Sequence, residues 1–348
     1  MSTFDLAPLA TALADHYNLF DAVLSPVRGG QSTINLSATT PDGHRVFVKT
    51  YPAGSDLGSE RGAIALAERA GDHGVPVASL IRDRHGHTVH TGAPSAFSVW
   101  QWVDGHVVTH PHHHHCDQAG QVLGRIHSAF ADLPVSAADR DASLAGWRTA
   151  DVPALTTTID LLLDSIKAHT EPDTFDTIAA ATLAERRTML THLPTLTAQV
   201  DEQLTVQVSH GDYSPVNLLH TPAGELAAVL DFGPPRPDLL AYDLGRMAFY
   251  PHTVTGREEW MALAATFITA YLDVRPRTRA VDVRSCGLIA LLQLVRSLYG
   301  VQQHYLAPGL DQASLDDFWV LRHRTARILW ERLPEIEHML DELARELC

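Results

Sequence analysis

The chain has 348 residues, 45% of them hydrophobic, and a formal net charge of -15 at pH 7. That is enough for one large or two modest globular domains with a substantial core. The acidic balance argues against a nucleic-acid partner, which needs a net basic surface, and suits either a cationic small molecule or plain solubility. No stretch approaches the roughly 18 consecutive apolar residues of a membrane span. The start MSTFDLAPLATALADHY lacks the basic and apolar parts of a signal peptide, so a cytoplasmic protein without membrane contact is expected. Cys116, Cys286 and Cys348 are odd in number and far apart, which speaks against a disulfide framework or a thiolate metal site.

Residues 5–17 carry apolar side chains at helical spacing, and strand-like runs follow in DAVLSPV, INLSATT and HRVFVKTY. The PDG between the second and third suits a hairpin turn. Helix is predicted over 57–72, ended by Gly71 and Gly74, then a strand in VPVASLI, a turn in RDRHGH and a strand over 95–103. Beyond Gly105 helices are predicted near 114–131 and across 153–199. Short strands LTVQVSH and ELAAVLDF flank the segment HGDYSPVNLL, and from about residue 239 the pattern is helical to the end. There Phe318, Leu321, Ile328, Leu329, Ile336, Leu340 and Leu343 form one apolar stripe. The whole reads as an α+β chain of two lobes: a small β-rich lobe over 1–103 and a larger helical lobe over 104–348.

Chemistry concentrates in HGDYSPVNLL and VLDF. A hard cation such as magnesium takes oxygen ligands, usually one or two carboxylates plus substrate phosphates and water. Asn217 and Asp231 supply such oxygens from neighbouring strands, leaving Asp212 to orient a hydroxyl nucleophile or accept its proton. That division of labour fits phosphoryl transfer, in which positioning and charge neutralisation matter more than a strong base. The bland alternative is a polar turn after a strand, since Gly, Asp, Ser, Pro and Asn are all turn residues.

HGDYSPVN at 210–217, LDF at 230–232, YDLGR at 242–246 and LGRIHSAF at 123–130 resemble the aminoglycoside phosphotransferase and choline kinase group. These are small-molecule kinases that share the protein-kinase-like fold. The resemblance implies a catalytic Asp212, magnesium ligands Asn217 and Asp231, and ATP or another nucleoside triphosphate as phosphoryl donor. It implies structural roles for His210 and Asp243, the latter holding the catalytic loop through hydrogen bonds.

A kinase of this architecture grips the nucleotide phosphates with a lysine on its third strand. Lys49 lies on the third predicted strand and is one of only two lysines in the chain, with Lys167. Glu60 or Glu68 is its expected acidic partner from the following helix, with Glu60 preferred. In the loop RGGQST, Gly29 and Gly30 would allow close backbone approach to phosphates and Ser32 and Thr33 would offer donors. Backbone groups of Gln101, Trp102 and Val103 are placed against the adenine edge. The run HPHHHHC at 110–116 looks like a metal site, but consecutive histidines point around a helix axis and cannot converge on one ion. A non-functional loop and helix start is expected there.

The acceptor is expected to be a small molecule bearing a hydroxyl. An antibiotic of aminoglycoside, nucleoside or peptide type is the first choice, with homoserine, choline or an amino sugar as the metabolic alternative. Asp238, Tyr242, Arg246, Trp260, Tyr299, Trp319 and the segment 135–200 are candidates for its selectivity. Asp341, Glu342 and Glu346 could attract an amine, whereas Arg246 could hold an anionic group. A protein kinase would carry H-R-D and A-P-E motifs, which are absent, and a non-catalytic nucleotide-binding module would need an incomplete site.

Overall fold

The computed structural model describes residues 6–27, 33–92, 95–308 and 311–345. Helix α1 (Ala7–Tyr17) leads into strands β1 (Val23–Pro26), β2 (Ile34–Thr39) and β3 (Arg45–Tyr51), helix α2 (Leu57–Asp72) and strands β4 (Leu80–Ile81) and β5 (Ala96–Gln101). The five strands form one antiparallel sheet in the order β1-β2-β3-β5-β4.

The alternation in RVFVKTY explains what this sheet does. Successive side chains of a strand point to opposite faces. Val46 and Val48 are fully buried with Leu9 and Leu13 of α1, Leu36 of β2 and Phe97 and Val99 of β5. The opposite face of β3 therefore carries Phe47, Lys49 and Tyr51, and all three line a cleft. Each fully buried Val or Leu contributes roughly 1.5–3 kcal/mol, so sliding β3 by one residue would bury a lysine and expose two valines. Helix α2 begins where Asp56 accepts hydrogen bonds from Gly58 N (3.0 Å) and Ser59 N (3.1 Å), a cap that stabilises by about 1 kcal/mol. This fixes the first turn, which holds Glu60.

The rest is mainly helical. It runs through β6 (His106–Val107), α3 (His113–Ala129), α4 (Ala137–Arg148), α5 (Val152–Lys167), α6 (Thr174–Leu190) and α7 (Leu193–Thr197). After β7 (Val206–Val208), β8 (Leu218–His220), β9 (Leu226–Val229) and β10 (Pro237–Leu239) come α8 (Leu240–Ala248), α9 (Pro251–Gly256), α10 (Trp260–Val274), α11 (Ala280–Arg296), α12 (Val301–Leu306) and α13 (Gln312–Arg345). The short antiparallel sheet β6-β8-β9 gives Val107, Leu219 and Val229 to the lining of the cleft, β7 pairs with β10, and one large apolar core unites the helices. No helix among the described residues is long and apolar enough to cross a membrane.

Three expectations need correction. The helix predicted across 153–199 is three helices, interrupted around the Asp173 cap and at Thr191 and His192, just before Pro194 in the first turn of α7. Helix α4 was not anticipated, because AADRDASLAGWR buries only Leu144 and carries almost no apolar periodicity. In VPVASLI only Leu80 and Ile81 join the first sheet; Pro76 O instead accepts from Val229 N at 2.8 Å, tying this segment to β9.

Candidate active site

The segment SHGDYSPVN leaves β7, passes through a short 3-10 turn at Pro215–Asn217 and continues as β8. Its shape is set by Asp243 in the first turn of α8. That carboxylate is fully buried and accepts hydrogen bonds from His210 N at 2.8 Å, Gly211 N at 3.1 Å and His127 Nε2 at 3.3 Å. Burial alone would raise its pKa, but the His127 and backbone hydrogen bonds hold it below the ordinary carboxylate value. Gly211 sits at φ +81°, in the left-handed region that favours glycine.

His210 is likewise fully buried. Its Nδ1 accepts from Asp212 N at 3.2 Å, so the ring proton sits on Nε2 and is donated to Leu230 O at 3.0 Å. Burial pushes its pKa down, keeping it neutral. The imidazole thus fastens the 210–217 loop to the end of β9 and takes no position in the cleft. Gly233 N closes the same junction by donating to His210 O at 2.9 Å, an approach that leaves a Cβ at Gly233 only 3.0 Å from that oxygen.

These anchors bring the polar groups together. Asn217 Nδ2 donates to Asp212 O and to Asp212 Oδ2, both at 2.9 Å. With its amide nitrogen so committed, Asn217 turns its carbonyl oxygen away from Asp212. Leu230 N donates to Asn217 O at 2.8 Å, placing Asp231 next in the chain beside it. Asp231 is held at φ +53°, a left-handed conformation rare for a non-glycine residue and a local cost of about 1 kcal/mol. Asp231 Oδ1 reaches Lys49 Nζ across the cleft at 3.3 Å, and Glu60 Oε2 approaches the same ammonium at 3.6 Å. Burial works against the charged lysine, but the two carboxylates more than offset it and its pKa is raised. Glu68, the alternative partner, pairs instead with Arg82 at 2.6 Å.

The cleft encloses about 500 Å³ and is lined by Lys49, Glu60, Asn217 and Asp231, and by Gln101, Trp102 and Val103 at its back. Gln101 N is already committed to Ser79 O at 2.8 Å, which removes it as a donor to a ligand. Trp102 turns its ring outward, where Arg45 stacks at 3.5 Å and Asp104 accepts from Nε1 at 2.9 Å. The expected phosphate loop, Gly29, Gly30 and Ser32, lies outside the described residues.

On the other side of Asp212 stands Arg246, whose guanidinium forms an ion pair with Asp212 Oδ1. Tyr242, Arg246, Tyr250 and Arg322 surround a narrow recess there. Arg322 escaped the sequence reading, yet a signal was present. Leu315, Trp319, Arg322, Ala326 and Leu329 follow one another at helical spacing on the buried face of α13, so a charged residue stands where the period demands an apolar one. The stripe read from the sequence is shifted accordingly: Leu329, Ile336 and Leu340 are buried, while Phe318, Leu321, Ile328 and Leu343 are half-buried.

Other candidates resolve into structure. Trp260 and Trp319 are core residues, the latter donating to Thr182 Oγ1 at 3.0 Å. Asp238 accepts from Trp147 Nε1 at 2.7 Å, and Asp341 pairs with Arg284 at 2.7 Å. In the histidine run, His113 meets Thr266 Oγ1 at 2.7 Å, His114 meets Gly224 O at 3.0 Å, and His115 Nδ1 accepts from His112 N at 3.1 Å.

Comparison with known proteins agrees with this arrangement. Residues 23–281 match the model of the phosphotransferase enzyme family. A curated homoserine kinase of Caulobacter sp. (strain K31) is 29% identical over 175 residues, 50% of this chain and 48% of that protein. The chain thus spans about half the length of the curated relative it matches. An aminoglycoside phosphotransferase from Alicyclobacillus acidocaldarius superposes with TM-score 0.60 at 16% identity, covering 97% of this chain and 98% of that one. A spectinomycin phosphotransferase, solved with ADP and spectinomycin, superposes with TM-score 0.63 at 12% identity, covering 95% and 100%. The fold is the bilobal, protein-kinase-like one, and with the family model matching most of its length the chain belongs to the phosphotransferase enzyme family.

Proposed function

We propose that this protein is a kinase of small molecules, transferring the terminal phosphoryl group of ATP or another nucleoside triphosphate to a hydroxyl. The observation that carries the reading is the meeting of Lys49, Glu60 and Asp231 across one cleft, with Asp212 and Asn217 hydrogen-bonded beside them. The 1–103 lobe supplies Lys49 and Glu60, and the 104–348 lobe supplies Asp212, Asn217 and Asp231, which face them.

Each residue then has a separable task. Lys49, positioned by Glu60, grips the nucleotide phosphates. Val103 N, which has no protein acceptor among the described residues, is the backbone donor suited to the base edge; Gln101 contributes its carbonyl and Trp102 the wall of the cleft. The Asn217 carbonyl oxygen and the Asp231 carboxylate form an all-oxygen donor set of the sort magnesium takes, and they would hold it. Bound there, magnesium would neutralise charge on the phosphates. Asp212 orients the acceptor hydroxyl and accepts its proton as the new O–P bond forms; Arg246 and Asn217 hold its two oxygens in place. Gly29, Gly30 and Ser32 would cover the phosphates.

For the acceptor, an antibiotic hydroxyl is the first reading, as spectinomycin is for the neighbour named above. A metabolic hydroxy compound is the second, favoured by the homoserine kinase match. The test is magnesium-dependent ADP release against aminoglycosides, nucleoside and peptide antibiotics, amino sugars, choline and homoserine. Transfer to at least one acceptor, lost in Asp212→Asn, is expected. Nucleotide binding without transfer to any of them would leave a binding module in place of an enzyme.

A further inference from the structure

Beside Asp212 the charges do not balance. Asp212 contributes one carboxylate, already bonded by Arg246 and Asn217. Arg322 lies behind Arg246, only 3% exposed, and its Nε and Nη2 have no hydrogen-bond partner among the described residues; Arg246 Nε is also buried without one there. The ring of Phe318 lies 5.5 Å from the Arg322 guanidinium at the centroid. A buried unpaired charge is among the most destabilising features a fold can carry, and it normally has a partner.

Arg186, the neighbouring buried arginine, is better served: it donates to the Leu294 carbonyl near the end of α11 and faces His323 Nδ1 at 3.4 Å, although its Nε too lacks a hydrogen-bond partner among the described residues. Arg322 has no such solution. Burial and the facing charge of Arg246 push its pKa down to about 10, so it stays protonated at neutral pH, with the phenols of Tyr242, Tyr250 and Tyr299 around it. Both guanidiniums line one recess, and Arg246 links it to Asp212 through their ion pair. In a chain of net charge -15, this is a local excess of positive charge behind Asp212, the residue proposed to orient the acceptor hydroxyl.

We infer that Arg322 and Arg246 form a subsite for a carboxylate of the acceptor, so that the substrate is a hydroxy compound bearing a carboxylate. The inference rests on the kinase reading above. A guanidinium presents its donors in a planar fork that matches a carboxylate. The recess measures about 10 Å³ as it stands, roughly the room of one water, so a carboxylate enters it only as the surrounding side chains yield. A polycationic acceptor would meet two fixed positive charges here.

Thermal unfolding of the full-length protein tests this with L-homoserine, L-serine and gluconate, each against its amide, and with glycerol phosphate as a further arm. At least one carboxylate should raise Tm where its amide does not, and the protection should vanish in Arg322→Met while Arg322→Lys keeps part of it. Without additive, Arg322→Met should melt higher than the native protein, since it removes an unpaired buried charge. In ADP-release assays with a carboxylate acceptor, Arg322→Lys should raise KM roughly 10- to 100-fold with kcat little changed. Equal protection by acid and amide, protection by neither, or protection by glycerol phosphate alone overturns the assignment. ADP and magnesium should protect independently through Lys49. Their protection without that of a carboxylate sinks this inference and leaves the kinase reading; the reverse result sinks the kinase reading.

Discussion

The two sides of Asp212 carry opposite errors of charge. On the nucleotide side one cation, Lys49, faces two carboxylates, Glu60 and Asp231, at 3.6 and 3.3 Å. On the side proposed for the acceptor two guanidiniums line one recess, Arg246 and Arg322, and only Arg246 is paired, with the single carboxylate of Asp212. Each side is one charge short of balance, the first in favour of an added cation and the second in favour of an added anion. A site built to bind charge leaves its own charge uncompensated where the ligand will supply the remainder. Asp212 stands between the two, and removing it should have the largest effect. Asp212→Asn keeps the shape and the contact with Asn217, so nucleotide affinity should hold while kcat falls about 10³-fold, as measured by steady-state ADP release.

Lys49→Ala tests the nucleotide side. It leaves Glu60 and Asp231 facing one another with no cation, and kcat/KM for the nucleotide should fall roughly 10- to 100-fold. Lys49→Arg restores the charge with a planar, bulkier group and should recover only part of the loss. Full recovery would mean that charge alone matters there and that the position of the ammonium does not.

The same contrast explains what could be read from the sequence. The nucleotide side is written in contiguous or strongly patterned pieces: HGDYSPVN, LDF, and a nearly unique lysine on a strand whose alternation puts Val46 and Val48 inward and Lys49 toward the cleft. The five strands as segments of the chain, the helix after the third, and the separation of β-rich from helical regions followed from the same short-range periods, whereas the β1-β2-β3-β5-β4 order of the sheet did not. Arg322 belongs to no motif. It is separated from Asp212 by 110 positions of chain and comes beside Arg246, the partner of Asp212, through the packing of α13 on α11 and α9. Reading that region for apolar spacing passes over the one charged residue on the buried face. The commitment of Gln101 N to Ser79 O was invisible for a related reason, since a backbone partner depends on how β4 and β5 meet.

A smaller effect should come from the frame that both sides share. Asp243→Asn exchanges an acceptor oxygen for an amide that cannot satisfy His210 N, Gly211 N and His127 together, costing about 2–3 kcal/mol in denaturant unfolding. The imidazoles of this frame also set a pH dependence. Burial lowers the pKa of His127 and His210 below the ordinary 6.5, and takes His115 and His323 down to about 4. Below pH 6.5 the unfolded chain therefore takes up protons that the folded one refuses. Stability is full above pH 6.5 and should fall as pH drops from there toward 4, by up to ~1.4 kcal/mol per pH unit for each such imidazole. Unfolding midpoints measured between pH 7 and 4.5 should show a steepening decline, and a flat profile would mean that these rings are protonated in the fold.

The smallest expected effect separates the two carboxylates that share Lys49. Glu60 is held in the first turn of α2, whereas the Asp231 side chain is 60% exposed and belongs to the magnesium donor set proposed above. If Asp231 turns from the lysine toward a bound cation, Glu60 is left as the sole partner of Lys49 in the working state. Glu60→Gln should then change unfolding free energy by less than about 1 kcal/mol, as for other partly exposed ion pairs, yet raise the nucleotide KM several-fold when magnesium is present. Asp231→Asn should behave in the opposite way, with magnesium dependence lost and the Lys49–Glu60 pair intact. Identical behaviour of the two variants in a magnesium titration of ADP release would show that both carboxylates serve the lysine alone, and the excess negative charge on this side would then need another explanation.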